Sequence, residues 1–208
     1  MNATNAVWAY NSKTKAWTGV AAMPTARWGS EAVAEKKTNL IYVIGGYDGK
    51  GGYLANVESY NPATNTWTEE APLLLADDSP AAGAVGTTIV VADGSQGGGE
   101  ITGYTEGYDA TTNTWTALAA DATARVESCS GGIGSKLYDA GGYLNNGGAA
   151  ANVNESFQLS KNKWTTLAAM PQGSMFGGSA VYKSKLYCFG GWANWTGTPI
   201  NNVQIYQP

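Results

Sequence analysis

Four short apolar runs, each closed by glycine, recur along the chain: Leu40 to Gly46, Ile89 to Gly94, Leu137 to Gly142 and Leu186 to Gly191. They are mostly apolar on both faces instead of alternating, the pattern of strands covered on both sides. A second pattern has the same period. Trp17, Trp67, Trp115 and Trp164 lie 50, 48 and 49 residues apart, and each follows an aromatic residue (Tyr10, Tyr60, Tyr108, Phe157) by seven positions. Tyr206 repeats the step beyond Phe157. Between aromatic and tryptophan lie segments rich in Asn, Asp, Ser, Pro and Thr, such as Asn61-Pro62-Ala63-Thr64-Asn65. These residues favour turns through restricted φ or local side-chain hydrogen bonds. Each unit therefore predicts two hairpins, one carrying the Tyr/Trp pair and one ending in the apolar run.

A double glycine after an apolar strand, then Tyr, then Trp, at a period near 50 residues, resembles the kelch repeat. The resemblance covers nearly the whole chain. It implies an all-β, kelch-type β-propeller of four blades, each of four antiparallel strands a to d, as one domain over 1–208. Strand a, nearest the central channel, is then expected to begin near Arg27, Asp77, Arg125 and Ser174. The first repeat needs an insertion between Glu35 and Asn39, and the second has Asp93-Gly94 in place of Gly-Gly. Five c-type segments are expected, near Val7, Val57, Tyr104, Val153 and Val203, against four of every other kind. Three arrangements follow: a four-bladed ring closed within one chain by Lys15 to Val20 as the last strand d, two chains sharing an eight-bladed ring, or part of a larger propeller. The spare strand makes a homodimer through strand exchange one outcome.

The chain has 208 residues, 28 of them glycine, with 12 basic and 16 acidic residues. That suits many short strands and turns. No cluster of Lys or Arg offers a footprint for nucleic acid or for an anionic membrane surface. No apolar run reaches the ~20 residues of a membrane helix, and Met1 to Tyr10 does not read as a signal peptide. The glycine, Asn and Thr enrichment with low charge hints at a secreted, extracellular bacterial protein. Histidine is absent, which removes a Ser-His-Asp arrangement and the commonest transition-metal ligand. No metal or other cofactor is expected. Cys129 and Cys188 are not in a CxxC pair and read as buried small apolar side chains, with a disulfide as the lesser alternative.

In kelch proteins the d–a and b–c loops share one face, where ligands bind. The resemblance thus directs attention to Arg27, Asp77, Arg125 and Ser174, and two positions on to Gly29, Ser79, Glu127 and Phe176. Arg27 and Arg125 are the only arginines. Their planar forks suit carboxylates, phosphates or sulfates, although Arg27 could equally pair with Asp77 or backbone carbonyls. The b–c loops, 47–55, 95–102, 143–151 and 192–200, carry Tyr53, Trp192 and Trp195 beside Asn145 and Asn194. Aromatic faces next to amides suit sugars or peptide side chains. The expected function is a non-enzymatic binding module for a protein, peptide or glycan. Two alternatives stand beside it: a small carbohydrate-active enzyme such as a mutarotase, using Glu127 and Arg125, and an assembly protein joined by exchanged strands.

Overall fold

The structure, a computed structural model, describes residues 2–98, 100–144 and 148–208. In chain order the strands are β1 (Val7–Asn11), β2 (Ala16–Val20), β3 (Glu31–Glu35), β4 (Leu40–Ile44), β5 (Val57–Asn61), β6 (Thr66–Glu69), β7 (Ala81–Val85), β8 (Thr88–Ala92), β9 (Ser95–Gln96), β10 (Glu100–Ile101), β11 (Thr105–Asp109), β12 (Thr114–Leu118), β13 (Cys129–Ile133), β14 (Lys136–Ala140), β15 (Asn154–Gln158), β16 (Lys163–Thr166), β17 (Gly178–Tyr182), β18 (Lys185–Phe189) and β19 (Val203–Tyr206). All pairings are antiparallel between neighbours, as expected of meandering blades. Three blades are complete: β3-β4-β5-β6, β7-β8-β11-β12 and β13-β14-β15-β16. The fourth has strands a to c, β17-β18-β19, and the chain opens on a c–d hairpin, β1-β2. Strand a opens at Glu31, Ala81, Cys129 and Gly178, downstream of the Arg27, Asp77, Arg125 and Ser174 positions, which lie instead in the d–a links. The all-β, four-blade propeller arrangement is as the repeats imply.

Ring closure through Lys15 to Val20 is not what forms. β2 pairs with β1, Tyr10 opposite Trp17, and no strand pairing among the described residues joins this hairpin to β19. The blades form an open arc. Its ends show as exposed sheet faces: β17 is exposed throughout, and Trp8, Tyr10 and Trp17 are 63%, 48% and 66% exposed.

Between blades the apolar runs bury one another. Val33, Tyr42, Ile44 and Val57 of the first complete blade meet Ala82, Ile89, Val91 and Tyr108 of the second. Val85, Val90 and Ala92 meet Leu137 and Phe157. Cys129, Tyr138 and Ala140 meet Leu186 and Cys188. Near the channel β7 and β13 touch backbone to backbone; a Cβ at Gly132 would overlap the carbonyl oxygen of Ala84. Glycine is what permits that approach.

The Tyr/Trp hairpin does more than fill the core. The Trp67 indole donates to Ala21 O (2.8 Å) while Asn65 Oδ1 accepts from Ala21 N (2.8 Å). Trp115 and Asn113 hold Ala71 in the same way, and Trp164 and Asn162 hold Ala119. Each of these three c–d hairpins thus grips both backbone groups of one residue in the d–a link of the preceding unit. The clamping asparagines take left-handed φ of 56°, 54° and 45°, a conformation that Asn tolerates well. Tyr60 and Tyr108 hydroxyls donate to the same Asn oxygens (2.9 Å each). In the opening hairpin Lys15 holds that left-handed place, φ 59°, and Trp17 stays exposed.

One sequence expectation needs correction. Cys129 and Cys188 are buried, but as a disulfide, not as free thiols. The repeat places the first residue of β13 against the fourth residue of β18 in the next blade, a juxtaposition that spacing alone does not reveal.

Asn113→Ala should strand Ala71 N and leave the Tyr108 hydroxyl only its longer bond to Glu70 Oε2 (3.3 Å), lowering stability by about 1–3 kcal/mol in urea titrations, while Lys15→Ala leaves the midpoint in place. Reduction, or replacement of both cysteines by alanine, should cost up to about 4 kcal/mol for a loop of 59 residues, read as a drop in Tm.

Candidate ligand-binding site on the loop face

The residue after the glycine pair returns to bridge the d–a link: Trp28 with Tyr47, Asp78 with Ser95, Val126 with Tyr143 and Met175 with Trp192. The next link residue in each repeat, Gly29, Ser79, Glu127 and Phe176, is left-handed, with φ of 66°, 58°, 56° and 58°. These four are joined blade to blade. Ser79 N donates to Gly29 O (2.7 Å), Glu127 N to Ser79 O (3.4 Å) and Phe176 N to Glu127 O (3.1 Å). A hydrogen-bonded course of backbone therefore rims the channel mouth. Three of its members are non-glycine residues in a costly region of φ, which the inter-blade bonds hold in place.

Above this rim lies a cup of about 520 Å³ lined by Trp28, Asp78, Ser79, Ser95, Ile101, Val126, Glu127, Tyr143, Phe176, Trp192 and Trp195. Phe176 touches Trp192 and Trp195 at ring-centroid distances of 5.3 and 5.1 Å, and Tyr143 meets Trp195 edge-on at 5.1 Å. The loops of the third and fourth blades pair to hold this wall: Ala150 N donates to Ala193 O and Trp195 N to Gly148 O. The polar end is acidic. Ser79 Oγ lies 2.6 Å from Glu127 Oε1 and 3.3 Å from Asp78 Oδ1. Burial, then the charge of Glu127, raises Asp78 to about 6. Glu127 is itself pushed up by burial, partly offset by Ser79. Beneath them Glu31 is raised to about 7 by burial, with the charges of Glu127 and Asp139 adding to it.

The sequence-derived candidates divide. Glu127, Trp192 and Trp195 line the cup. Asn194 stands beside it and closes its own loop, accepting from Thr196 Oγ1 and Thr198 N. Tyr53 packs on Tyr47, which packs on Trp28, so it backs the wall instead of forming it. Asn145 lies outside the described residues. Arg27, Asp77 and Arg125 are buried below the rim. Arg27 donates to Gly45 O and Asn56 O and pairs with Glu58 (2.8 Å). Arg125 pairs with Asp121, Asp139 and Glu155 at 2.7–2.8 Å and with Asp93 at 3.4 Å. Asp93, Asp121 and Asp139 are close enough together to suggest a cation site, and the Arg125 guanidinium supplies the positive charge there. Asp93 stands where the other repeats have glycine; it takes the same left-handed φ, 62°, and turns its carboxyl to Arg125. Trp28 and Asp78 are not among the sequence-derived candidates, and Phe176 enters there only as a member of the second d–a ring. The signal was present: each follows a d–a position already aligned by the repeat.

The second position of strand c explains the buried acids. Glu58 and Glu155 have an arginine partner, Gln204 is neutral, and Glu106 has none, because Asp77 replaces arginine in its repeat. Burial raises Glu106 to about 7 and Asp77 well above the usual carboxylate range.

Comparisons place this geometry among known proteins. The structure titled "Structure of YjhT" superposes on 99% of this chain with a TM-score of 0.85 at 17% identity, the chain spanning 73% of it. The molecule is thus an all-β propeller with a loop-face cup. The Kelch motif model matches residues 33–74 and 176–208. Human Kelch-like protein 6 is 41% identical over 76 residues, 36% of this chain and 12% of that protein. Beta-scruin of Limulus polyphemus is 41% identical over 75 residues, 36% of this chain and 8% of that protein. The chain therefore carries Kelch motifs over these two segments, and its matches span only about an eighth or less of these curated relatives.

Because the folded state raises the Glu106 pKa, its stability is complete below about pH 4.5 and falls as pH rises through about 7. Glu106→Gln, which copies Gln204, should stabilise the protein by on the order of 2 kcal/mol at pH 8 and by little at pH 4.5, read from chemical denaturation at the two pH values.

Proposed function

We propose that residues 1–208 act as one non-enzymatic interaction module, binding a protein or peptide partner through the face of d–a links and b–c loops. The observation that carries this reading is the cup itself: a concave site of about 520 Å³ with Trp28, Phe176, Trp192 and Trp195 gathered at its wall. Trp192 and Trp195 remain 38% and 47% exposed, although aromatic surface is costly to leave in water. Exposed aromatics around a polar centre are the usual anchors of protein interfaces. The position of the rim residues on hydrogen-bonded backbone gives a rigid base, so binding need not order the floor first. The Cys129–Cys188 disulfide favours an oxidising compartment, in keeping with a secreted or extracellular location.

The mutarotase alternative would use Glu127 with Arg125 as the anion holder. Arg125 is wholly buried among carboxylates, which leaves Glu127 without that partner.

Selection from a random heptapeptide display library against the immobilised protein tests the proposal. Selected peptides should lose about tenfold or more in affinity with Trp195→Ala and keep it with Trp17→Ala. Peptides indifferent to Trp195, or catalysed anomerisation of a sugar seen by NMR, would overturn it.

A further inference from the structure

The cup carries an asymmetry of charge that its shape alone does not require. Three carboxylates, Asp78, Glu127 and Glu31, converge at its polar end and in the adjoining space of about 290 Å³, which Glu127 and Ser79 share with the cup. Neither space has a Lys or Arg among its lining residues. The ion pairs among the described residues all belong to Arg27 and Arg125, and they engage Glu58, Asp93, Asp121, Asp139 and Glu155. Asp78, Glu127 and Glu31 are in none of them. Ser79 has a single hydroxyl proton, and at 2.6 Å it serves Glu127, leaving Asp78 with acceptor capacity to spare. The aromatic side chains of Trp28, Phe176, Trp192 and Trp195 line the same cup.

An acidic floor inside an aromatic wall is complementary to an organic cation: carboxylates take its N–H groups while the ring faces attract its charge. An anion would meet uncompensated repulsion, and a neutral sugar would leave the carboxylates' charge unanswered. We propose that the cup receives a basic side chain, Arg or Lys, presented by a peptide segment of a partner protein, with Asp78 and Glu127 as its acceptors and Trp192, Trp195 and Phe176 as its wall. This rests on the loop-face reading above and names the chemistry of what that face takes. The volume exceeds one side chain, so flanking residues of the segment also find room. The raised pKa values of Asp78 and Glu31, caused by burial first and neighbouring carboxylates second, agree with it, since an arriving cation favours the charged forms that both effects disfavour.

The test uses N-acetyl-L-arginine methylamide and its neutral isostere N-acetyl-L-citrulline methylamide, with the tryptophan indole N–H resonances followed by two-dimensional NMR. The arginine probe should shift the indoles of Trp28, Trp192 and Trp195 and bind about tenfold more tightly than the citrulline probe. Asp78→Asn combined with Glu127→Gln should abolish that preference. Both are near-isosteric, and spectra of the single variants guard against misfolding of the pair. Equal binding of the two probes, or a preference that survives the double variant, would refute the cation assignment. If the arginine probe fails while display-selected peptides without Lys or Arg still depend on Trp195, the cation assignment falls and the loop-face reading stands. If the selected peptides ignore Trp195, the loop-face reading falls with it.

Discussion

The fold depends on one repeated grip, in which a tryptophan indole and an asparagine carboxamide hold both backbone groups of one alanine in the preceding d–a link. These alanines lie just past the last ladder pair of strand d, so their peptide groups need a partner from outside the sheet. Ala21, Ala71 and Ala119 are each satisfied by the next hairpin. The grip orients each blade on its predecessor, and the apolar runs then bury against one another. In a solenoid-like array of this kind, stability is built from such neighbour terms. The disulfide adds a covalent tie between the third complete blade and the fourth.

Charge inside the arc follows the same logic of local pairing. Arg27 and Arg125 occupy equivalent links, and each meets a glutamate from the second position of strand c. They are structural counter-charges, fully desolvated, where a lone partner would be severely destabilising. Where Asp77 replaces arginine, the corresponding Glu106 keeps its proton more tightly. Asp93 departs from the glycine pattern and is used for the Arg125 network. Asp78 and Glu127 on the loop face have no such ion pair among the described residues, and this separates a buried ionic scaffold from an acidic cup open to a ligand.

Much of the architecture was legible in the chain itself. The Tyr/Trp step and the glycine-closed apolar runs located the c–d hairpins and b strands, because backbone pairing and two-sided burial each leave a short-range trace. The alignment of the d–a positions also led to Glu127, and the aromatic content of the b–c loops led to Trp192 and Trp195. The arginines misled for a physical reason: a guanidinium fork suits an external anion and an internal carboxylate equally, and only packing shows which it meets.

The sequence by itself determined the repeat and the strand order, since both follow from contacts within about 50 residues, and the kelch resemblance directed attention to the loop face. Only the tertiary structure decided that the chain forms an open arc, that Cys129 meets Cys188, that both arginines are buried, and that Asp78, Glu127 and Trp28 share one cup with Phe176 and Trp195. Those outcomes depend on how one blade is set against the next. That setting depends on side chains from different repeats meeting across the channel mouth, a distance relation that a one-dimensional period does not contain.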